Sequence, residues 1–552
     1  IIGQLNHGGH STLLKPPPLL WAPTEMPEPS SRYVCKEVEQ EDIEAVVEGF
    51  VLGSRHYVEA GFDGIEIKAA AHDGLLRSFV SPYCNRRDDE YGGSFENRLR
   101  LPIEVMQAVR EEVGTKAVFG IRVCLDEFTS WGYSLEYGLE VAKALLATGL
   151  ADYIYADAGT YSSFWMEIPP AAVPLGFAVY LSAALKEITD LPVIAFGRIN
   201  DPVLAEQVLA DGHADLIGMA RPLLCDPEWP IKAQEGRLDE IAHCIACNDG
   251  CIYQVMHLKP IRCIHNPAAG REEELGIGTL KPAATPKRVL VIGGGVAGLK
   301  VAAVAAERGH KVTLVEKSGE LGGQLTLAAR QPLHAEIADI PRYLEVIARK
   351  HGAEIRLHEE ATAESVLASG ADVVVIATGS RPQMPEGVEG LDNGNVYTVQ
   401  DVLAGEAAVG QRVLVYDYTG HWQGAGTAEY LLEQGKDVIL ATNLLFVGFE
   451  LEATNRETYY QRVRPKGMEF LPCQALTSIA GDRVTLTDTY SGQERVLEGI
   501  DTVVLAPLNR TEAGLYVALQ GQACEVHRVG DVVVPRMVQQ TIYEAELLAR
   551  SL

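Results

Sequence analysis

A chain of 552 residues is too long for one hydrophobic core and calls for about three or four domains of roughly 100–200 residues. Hydrophobic residues at 47% and charged residues at 22% leave no room for extensive disorder, and 47 Lys and Arg against 75 Asp and Glu give a net charge of −28, which argues against nucleic acid and anionic membranes as partners. No uncharged apolar run approaches the roughly 18–20 residues that span a bilayer, and the opening IIGQLNHGGH has no basic region or cleavage site, so a cytoplasmic protein is expected.

From the start to about residue 235, short apolar runs alternate with amphipathic stretches. The spacing predicts strands at 1–7, 64–69, 118–123, 152–156, 192–197 and 214–219, with helices over Glu41–Ala60, Glu96–Val113, Ser134–Ala147 and Pro202–Ala210. Such alternation calls for a parallel sheet, either a barrel or a doubly wound fold, and six strands is two short of a closed eight-stranded barrel. Cys244, Cys247, Cys251 and Cys263 follow, then a Pro- and Gly-containing linker around 267–286. The β-α pattern restarts with RVLVIGGG near Lys287 and again with QRVLVYD at 411–417, and the chain closes with the strands DTVVLAP (501–507) and VHRVGD (526–531).

Gly293, Gly295 and Gly298 form a G-x-G-x-x-G turn that ends a strand and opens a helix, and Glu316 closes the next strand 18 residues later. Glycines there permit a tight turn and close approach of a pyrophosphate to the helix N-terminus, while the carboxylate suits a ribose diol. The cysteines read Cys244-x2-Cys247-x3-Cys251-x11-Cys263. Four thiolates can hold zinc or an iron-sulfur cluster. Three from one tight loop with a solitary fourth suit a 4Fe-4S cube better than the paired CxxC of a zinc ribbon.

Gln4-Leu5-Asn6-His7-Gly8-Gly9, Ser81-Pro82 through Asn85-Arg86-Arg87, Tyr91-Gly92-Gly93-Ser94-Phe95-Glu96-Asn97-Arg98, Met219-Ala220-Arg221-Pro222 and Cys263-Ile264-His265-Asn266-Pro267, together with the order of barrel, cysteine segment and dinucleotide domain, resemble the 2,4-dienoyl-CoA reductase and trimethylamine dehydrogenase family, a branch of the old yellow enzymes. The resemblance covers essentially the whole chain. It implies an α/β fold: an FMN-binding β/α barrel over 1–240, lacking its first two strands and so N-terminally truncated, an iron-sulfur segment and linker over 241–286, an FAD-binding Rossmann-like domain over 287–410, a degenerate NAD(P)-type domain over 411–500 and a return to the FAD domain over 501–552.

By position in the family pattern, Gln4 would meet the flavin pyrimidine edge and Arg122 would place a cation near flavin N1 and O2, with Asp126 and Glu127 as its nearest acidic alternatives. Gly197-Arg198 and Ala220-Arg221 would hold the FMN phosphate, where β/α barrels commonly bind phosphate. Leu321-Gly322-Gly323-Gln324, Ala377-Thr378-Gly379 and Gly530-Asp531 resemble the FAD-binding pieces of two-dinucleotide-domain reductases, which adds Gly323, Gln324, Thr378, Gly379, Gly530 and Asp531 to the FAD set.

Two departures stand out. Family members that reduce enoyl thioesters carry a Tyr in an H-G-Y-L-type turn; here His72 matches the His but the Tyr position is Gly74, and Tyr161 aligns with a second family acid, so Tyr161 or His72 would carry any proton transfer. The turn after 411–417 reads Asp417-Tyr418-Thr419-Gly420-His421-Trp422-Gln423-Gly424-Ala425-Gly426, without the early glycines of a nucleotide turn, and no basic residue follows the next strand at Ala441-Thr442-Asn443. Use of NAD(P)H is thus left open. The sequence supports an FMN, FAD and 4Fe-4S oxidoreductase acting on a small molecule, expected as a homo-oligomer, either an ene-reductase or an amine dehydrogenase or N-demethylase that passes electrons to an electron-transfer flavoprotein. A non-catalytic electron-transfer partner is the third reading.

Overall fold

In the computed structural model, which describes residues 1–11, 18–28, 32–71, 74–522 and 525–552, each of the six apolar runs in the first part of the chain forms a strand. They are β1 (Ile2–Leu5), β2 (Gly64–Ala70), β3 (Val118–Cys124), β4 (Tyr153–Asp157), β5 (Val193–Ala195) and β6 (Leu216–Ile217). All pair in parallel and in chain order. Every residue of β2 is buried, as expected of a parallel strand covered on both faces. The crossovers include the expected helices, observed as Gln40–Glu59, Phe95–Val113, Leu135–Leu146 and Pro202–Ala210. Ser94 caps the second of these by accepting the Asn97 N–H at 3.1 Å, and Asp201 caps the last ahead of Pro202 at its first position. A further crossover helix, Val179–Lys186, is too short to announce itself by periodicity.

The chain divides into two compact units, Ile1–Ala220 and Arg221–Leu552. In the second unit a five-stranded parallel sheet runs in the order Glu354–Arg356, Lys311–Val315, Arg288–Ile292, Val373–Ile376, Glu525–Arg528. Its core is built on the Ala-rich helix Val296–Glu307, nine of whose residues are buried. A second parallel sheet orders Val396–Thr398, Thr502–Ala506, Arg412–Asp417, Asp437–Thr442 and Glu469–Leu471. The boundaries expected at 410/411 and 500/501 therefore cut through this sheet: Thr502–Ala506 pairs beside Arg412–Asp417, and Val396–Thr398 pairs on the far side of Thr502–Ala506, neither of them with the glycine-turn strand. The return to the first sheet comes only with Glu525–Arg528. Among the described residues no helix is long and apolar enough to cross a membrane.

Candidate functional site

Inside the first unit, the polar residues of neighbouring strands meet at the same level of the sheet. Gln4 on β1 stands in register with Glu66 on β2 and donates its amide to that carboxylate, which also accepts the Tyr153 hydroxyl of β4 at 2.8 Å. Gly120, the β3 residue between Glu66 and Tyr153, makes room for the phenol: a Cβ there would lie 1.9 Å from Tyr153 Cζ. Two residues further along β3, Arg122 donates to Asp157 at 2.8 Å with its guanidinium 4.7 Å from the Tyr155 ring centroid. The acidic neighbours that the sequence offered as alternatives are not its partners: Glu127 pairs with Arg77, and Asp126 accepts the Phe128 N–H at 2.7 Å. Strand pairing explains the choice of Asp157, since Arg122 is in register with Tyr155 and Asp157 lies on the same face two residues on. Arg122 Nε is buried with no hydrogen-bond partner among the described residues, an unusual state that a flavin carbonyl or ring nitrogen would relieve.

Past the end of β5, Gly197 and Arg198 both take positive φ, +113 and +55, an uncommon conformation for arginine. The turn is held by the Arg198 guanidinium, which donates to the carbonyls of Ala171, at 3.0 Å, and Val173. Past β6, Ala220 is exposed. Arg221 begins the second unit, where it donates to Asn248 Oδ1 at 2.6 Å and lines the cysteine cavity described below.

Tyr161 sits in a single turn, Tyr161–Ser163, whose start is fixed reciprocally: Thr160 Oγ1 accepts the Ser162 N–H and Ser163 Oγ accepts the Thr160 N–H. This places Tyr161 on the wall of a cleft, together with His10, Glu28, Arg77, Tyr83 and Trp131. His72 lies outside the described residues.

In the second unit the four cysteines converge. Cys244, Cys247, Cys251 and Cys263 line one cavity, and a fifth thiol not anticipated from sequence, Cys225, joins them. Burial pushes Cys251 up to about 12, so the protein alone keeps that thiol protonated and a bound metal would have to displace the proton. Among the described residues no group of three or more His, Cys, Asp or Glu side chains is arranged to hold a single metal ion. A sulfur-lined hollow suits a cluster, in which each thiolate ligates a different iron, better than a zinc ion at about 2.3 Å from all four sulfurs. The loop is pinned from outside. The Asp339 carboxylate accepts the His243 N–H and meets its ring Nδ1, both at 2.9 Å, and contacts His265; Asn455 donates to the Cys247 carbonyl at 2.8 Å, and Asn248 to Thr454 Oγ1 at 3.0 Å. Burial opposes ionisation of Asp339, but bonds from His243, His265 and Arg342 hold it well below the usual carboxylate range.

The dinucleotide pieces meet as well. Glu316 accepts the N–H groups of Gly294 and Ser318 at 2.7 and 2.8 Å, and Gly322 donates to the Gly294 carbonyl at 2.9 Å. Gln324 donates to Ser380, Ser380 to Asp531 at 2.8 Å, and Asn509 to both Gln324 and Ser380, while Thr378 donates to the Glu512 carbonyl. Gly379 and Gly530 take positive φ in these turns. Ser380 and Asn509 are additions from the structure; neither residue type carries a signal outside its three-dimensional setting. Gly295 caps the helix Val296–Glu307, so its N-terminus is bare backbone ready for a phosphate.

The second glycine turn is different. Asp417 Oδ1 accepts the N–H groups of Thr419 and Gly420 at 2.8 and 3.1 Å, and burial raises its pKa to about 6. Trp422 packs edge-on against His334 at 4.2 Å, and Gln331 donates to the Trp422 carbonyl.

A parallel β/α sheet with an Arg-bearing interior, joined to a glycine-turn dinucleotide domain, defines a flavin-dependent oxidoreductase, and the comparisons agree. Residues 4–240 match the NADH:flavin oxidoreductase / NADH oxidase family and residues 287–534 the pyridine nucleotide-disulphide oxidoreductases. The chain is 35% identical over 542 residues to a NADH oxidase of Thermoanaerobacter brockii, covering 96% of this chain and 81% of that protein. It is 36% identical over 522 residues to an N,N-dimethylglycine/sarcosine dehydrogenase of Chromohalobacter salexigens, covering 92% and 74%. A solved 2-naphthoyl-CoA reductase superposes with a TM-score of 0.92 at 32% identity, over 100% of this chain and 85% of that one. The chain belongs to the family that fuses an old-yellow-enzyme-type FMN barrel to a pyridine nucleotide-disulphide oxidoreductase domain, the 2,4-dienoyl-CoA reductase and trimethylamine dehydrogenase-like enzymes.

Proposed function

We propose that the chain works as an ene-reductase, in which a 4Fe-4S cluster would relay electrons from FAD to barrel-bound FMN and the FMN would supply a hydride to a small organic substrate. Gln4, Arg122 and the Gly197–Arg198 and Ala220–Arg221 turns would hold FMN, the four cysteines the cluster, and Gly293, Gly295, Gly298, Glu316, Gly323, Gln324, Thr378, Gly379, Gly530 and Asp531 the FAD. The observation that carries the reading is the barrel interior, where Arg122 keeps a buried N–H without a partner among the described residues and Tyr161 lines a cleft in the same unit. Arg122, fixed by Asp157, would stabilise negative charge on a reduced ring, and the Tyr161 hydroxyl would deliver a proton to substrate carbon. Tyr161→Phe is expected to lower turnover with 4-phenyl-3-buten-2-one by about 10²–10⁴-fold, the usual weight of a general acid, while both flavins stay bound. Unchanged turnover would return Tyr161 to a packing role.

Amine oxidation with delivery of electrons to an electron-transfer flavoprotein is a second reading, favoured by the turn at Asp417. The N–H groups of Thr419 and Gly420, the kind a pyrophosphate uses, are already bonded to a carboxylate, and a further negative charge would meet that carboxylate. In either reading the 411–500 region acts as a structural wall and a redox protein exchanges electrons with the FAD. Anaerobic stopped-flow mixing with micromolar NADH or NADPH is therefore expected to leave the flavin absorbance unchanged over many seconds. Bleaching within a turnover would overturn this part of the reading.

A further inference from the structure

The cleft lined by Tyr161 also holds a histidine that its sequence context does not single out. His10 is 3% exposed, and its Nε2 lies 3.3 Å from Nη2 of Arg77, which is locked to Glu127 in a fully buried ion pair. Glu127 is fixed in turn by the Tyr133 N–H at 3.0 Å and the Ser81 hydroxyl at 3.3 Å. A guanidinium can only donate, so Nε2 must accept. Burial and the Arg77 charge press the imidazole pKa down to about 3, which keeps the ring neutral and leaves its one proton on Nδ1. Nδ1 has no hydrogen-bond partner among the described residues. A buried donor without a partner is rare and calls for one.

We propose that the Nδ1–H of His10 is a hydrogen-bond donor to the substrate, and that it selects neutral molecules bearing a carbonyl-type oxygen. The inference rests on the reading of this cleft as the substrate site. The rest of the lining fits that class: the rings of Tyr83 and Trp131, tilted by 31° with centroids 3.9 Å apart, offer an apolar wall for the carbon skeleton. The Glu28 carboxylate in the same cleft disfavours an anion, and a fixed N–H donor offers an ammonium group, itself only a donor, nothing to bond.

Calorimetric titration of the holoenzyme with 4-phenyl-3-buten-2-one, cinnamate and N,N-dimethylbenzylamine tests this. The ketone is expected to bind most tightly. His10→Phe should weaken it by about tenfold or more, as loss of one buried hydrogen bond does, with amine binding unmoved, and His10→Gln should restore much of the loss by offering an amide N–H. Ketone affinity unchanged in His10→Phe overturns the proposal, as does tighter binding of the amine or the cinnamate to the wild type. If His10→Phe does not fold, that ranking in the wild type decides alone. FMN content is assayed separately: wild-type protein that takes up no FMN overturns the proposed function, whereas the His10 dependence of ketone binding stands or falls by itself.

Discussion

Cys247→Ala and Cys263→Ala are each expected to yield protein stripped of iron and acid-labile sulfide, from about four irons per chain in the wild type, with both flavins still present. The two thiols enter the cavity from different places, one from the three-cysteine loop and one from the segment beyond it, yet both line the same wall. A cube held at three corners by one loop needs the fourth sulfur to close it, and Cys247 and Cys251, whose thiols burial keeps protonated, offer little affinity unless the other sulfurs participate. Electron exchange between the two flavins, followed as reduction of one by a reductant of the other, should stop in both variants. The decisive measurement is metal analysis of the wild type. About one zinc per chain and no iron would sink the cluster assignment, and so would full iron retention in either variant.

Gly298→Ala is expected to cost the protein its FAD entirely while sparing FMN. A Cβ at this position would lie 1.9 Å from the Gly293 carbonyl oxygen, closer than any non-bonded contact. Neither side can yield cheaply: Gly293 is fixed at φ +108 by the strand end, and the helix Val296–Glu307 is buried along most of its length. The added methyl therefore pushes the helix N-terminus off the strand and breaks the close approach that a pyrophosphate needs. Acid release of flavins followed by chromatographic quantification reads the result directly. A variant that keeps both flavins at wild-type ratio would show that the glycine turn does not bind the dinucleotide.

Much of the fold was legible because it obeys local rules. Alternating apolar runs and capped helices gave the six strands of the first unit, and the glycine turn with Glu316 gave the dinucleotide sheet. What escaped the sequence was pairing between distant residues. Arg122 bonds Asp157, 35 positions away, because sheet register and not chain proximity decides a partner on a parallel strand. Cys225 is an isolated cysteine in sequence and becomes a fifth thiol only because its helix, Arg221–Cys225, backs onto the cavity. His10 reads as one more residue of a Gly-rich opening; its meaning comes from Arg77 and Glu127, 67 and 117 positions away. The boundary misplaced around Thr502–Ala506 has the same origin, since an apolar strand does not declare which of two similar sheets it joins.

The anchors of the cysteine loop have a consequence for how such proteins are put together over evolution. Asp339, Arg342, Thr454 and Asn455, which hold the loop, all lie downstream of it, and the second unit already begins at Arg221. The loop is thus inherited with the dinucleotide half. A recombination near residue 220 would graft a different barrel, with a different cleft and substrate preference, onto the same sulfur-lined segment without disturbing any of these bonds. Relatives as different as an N,N-dimethylglycine/sarcosine dehydrogenase and a 2-naphthoyl-CoA reductase are what such an exchangeable head on a fixed body would produce.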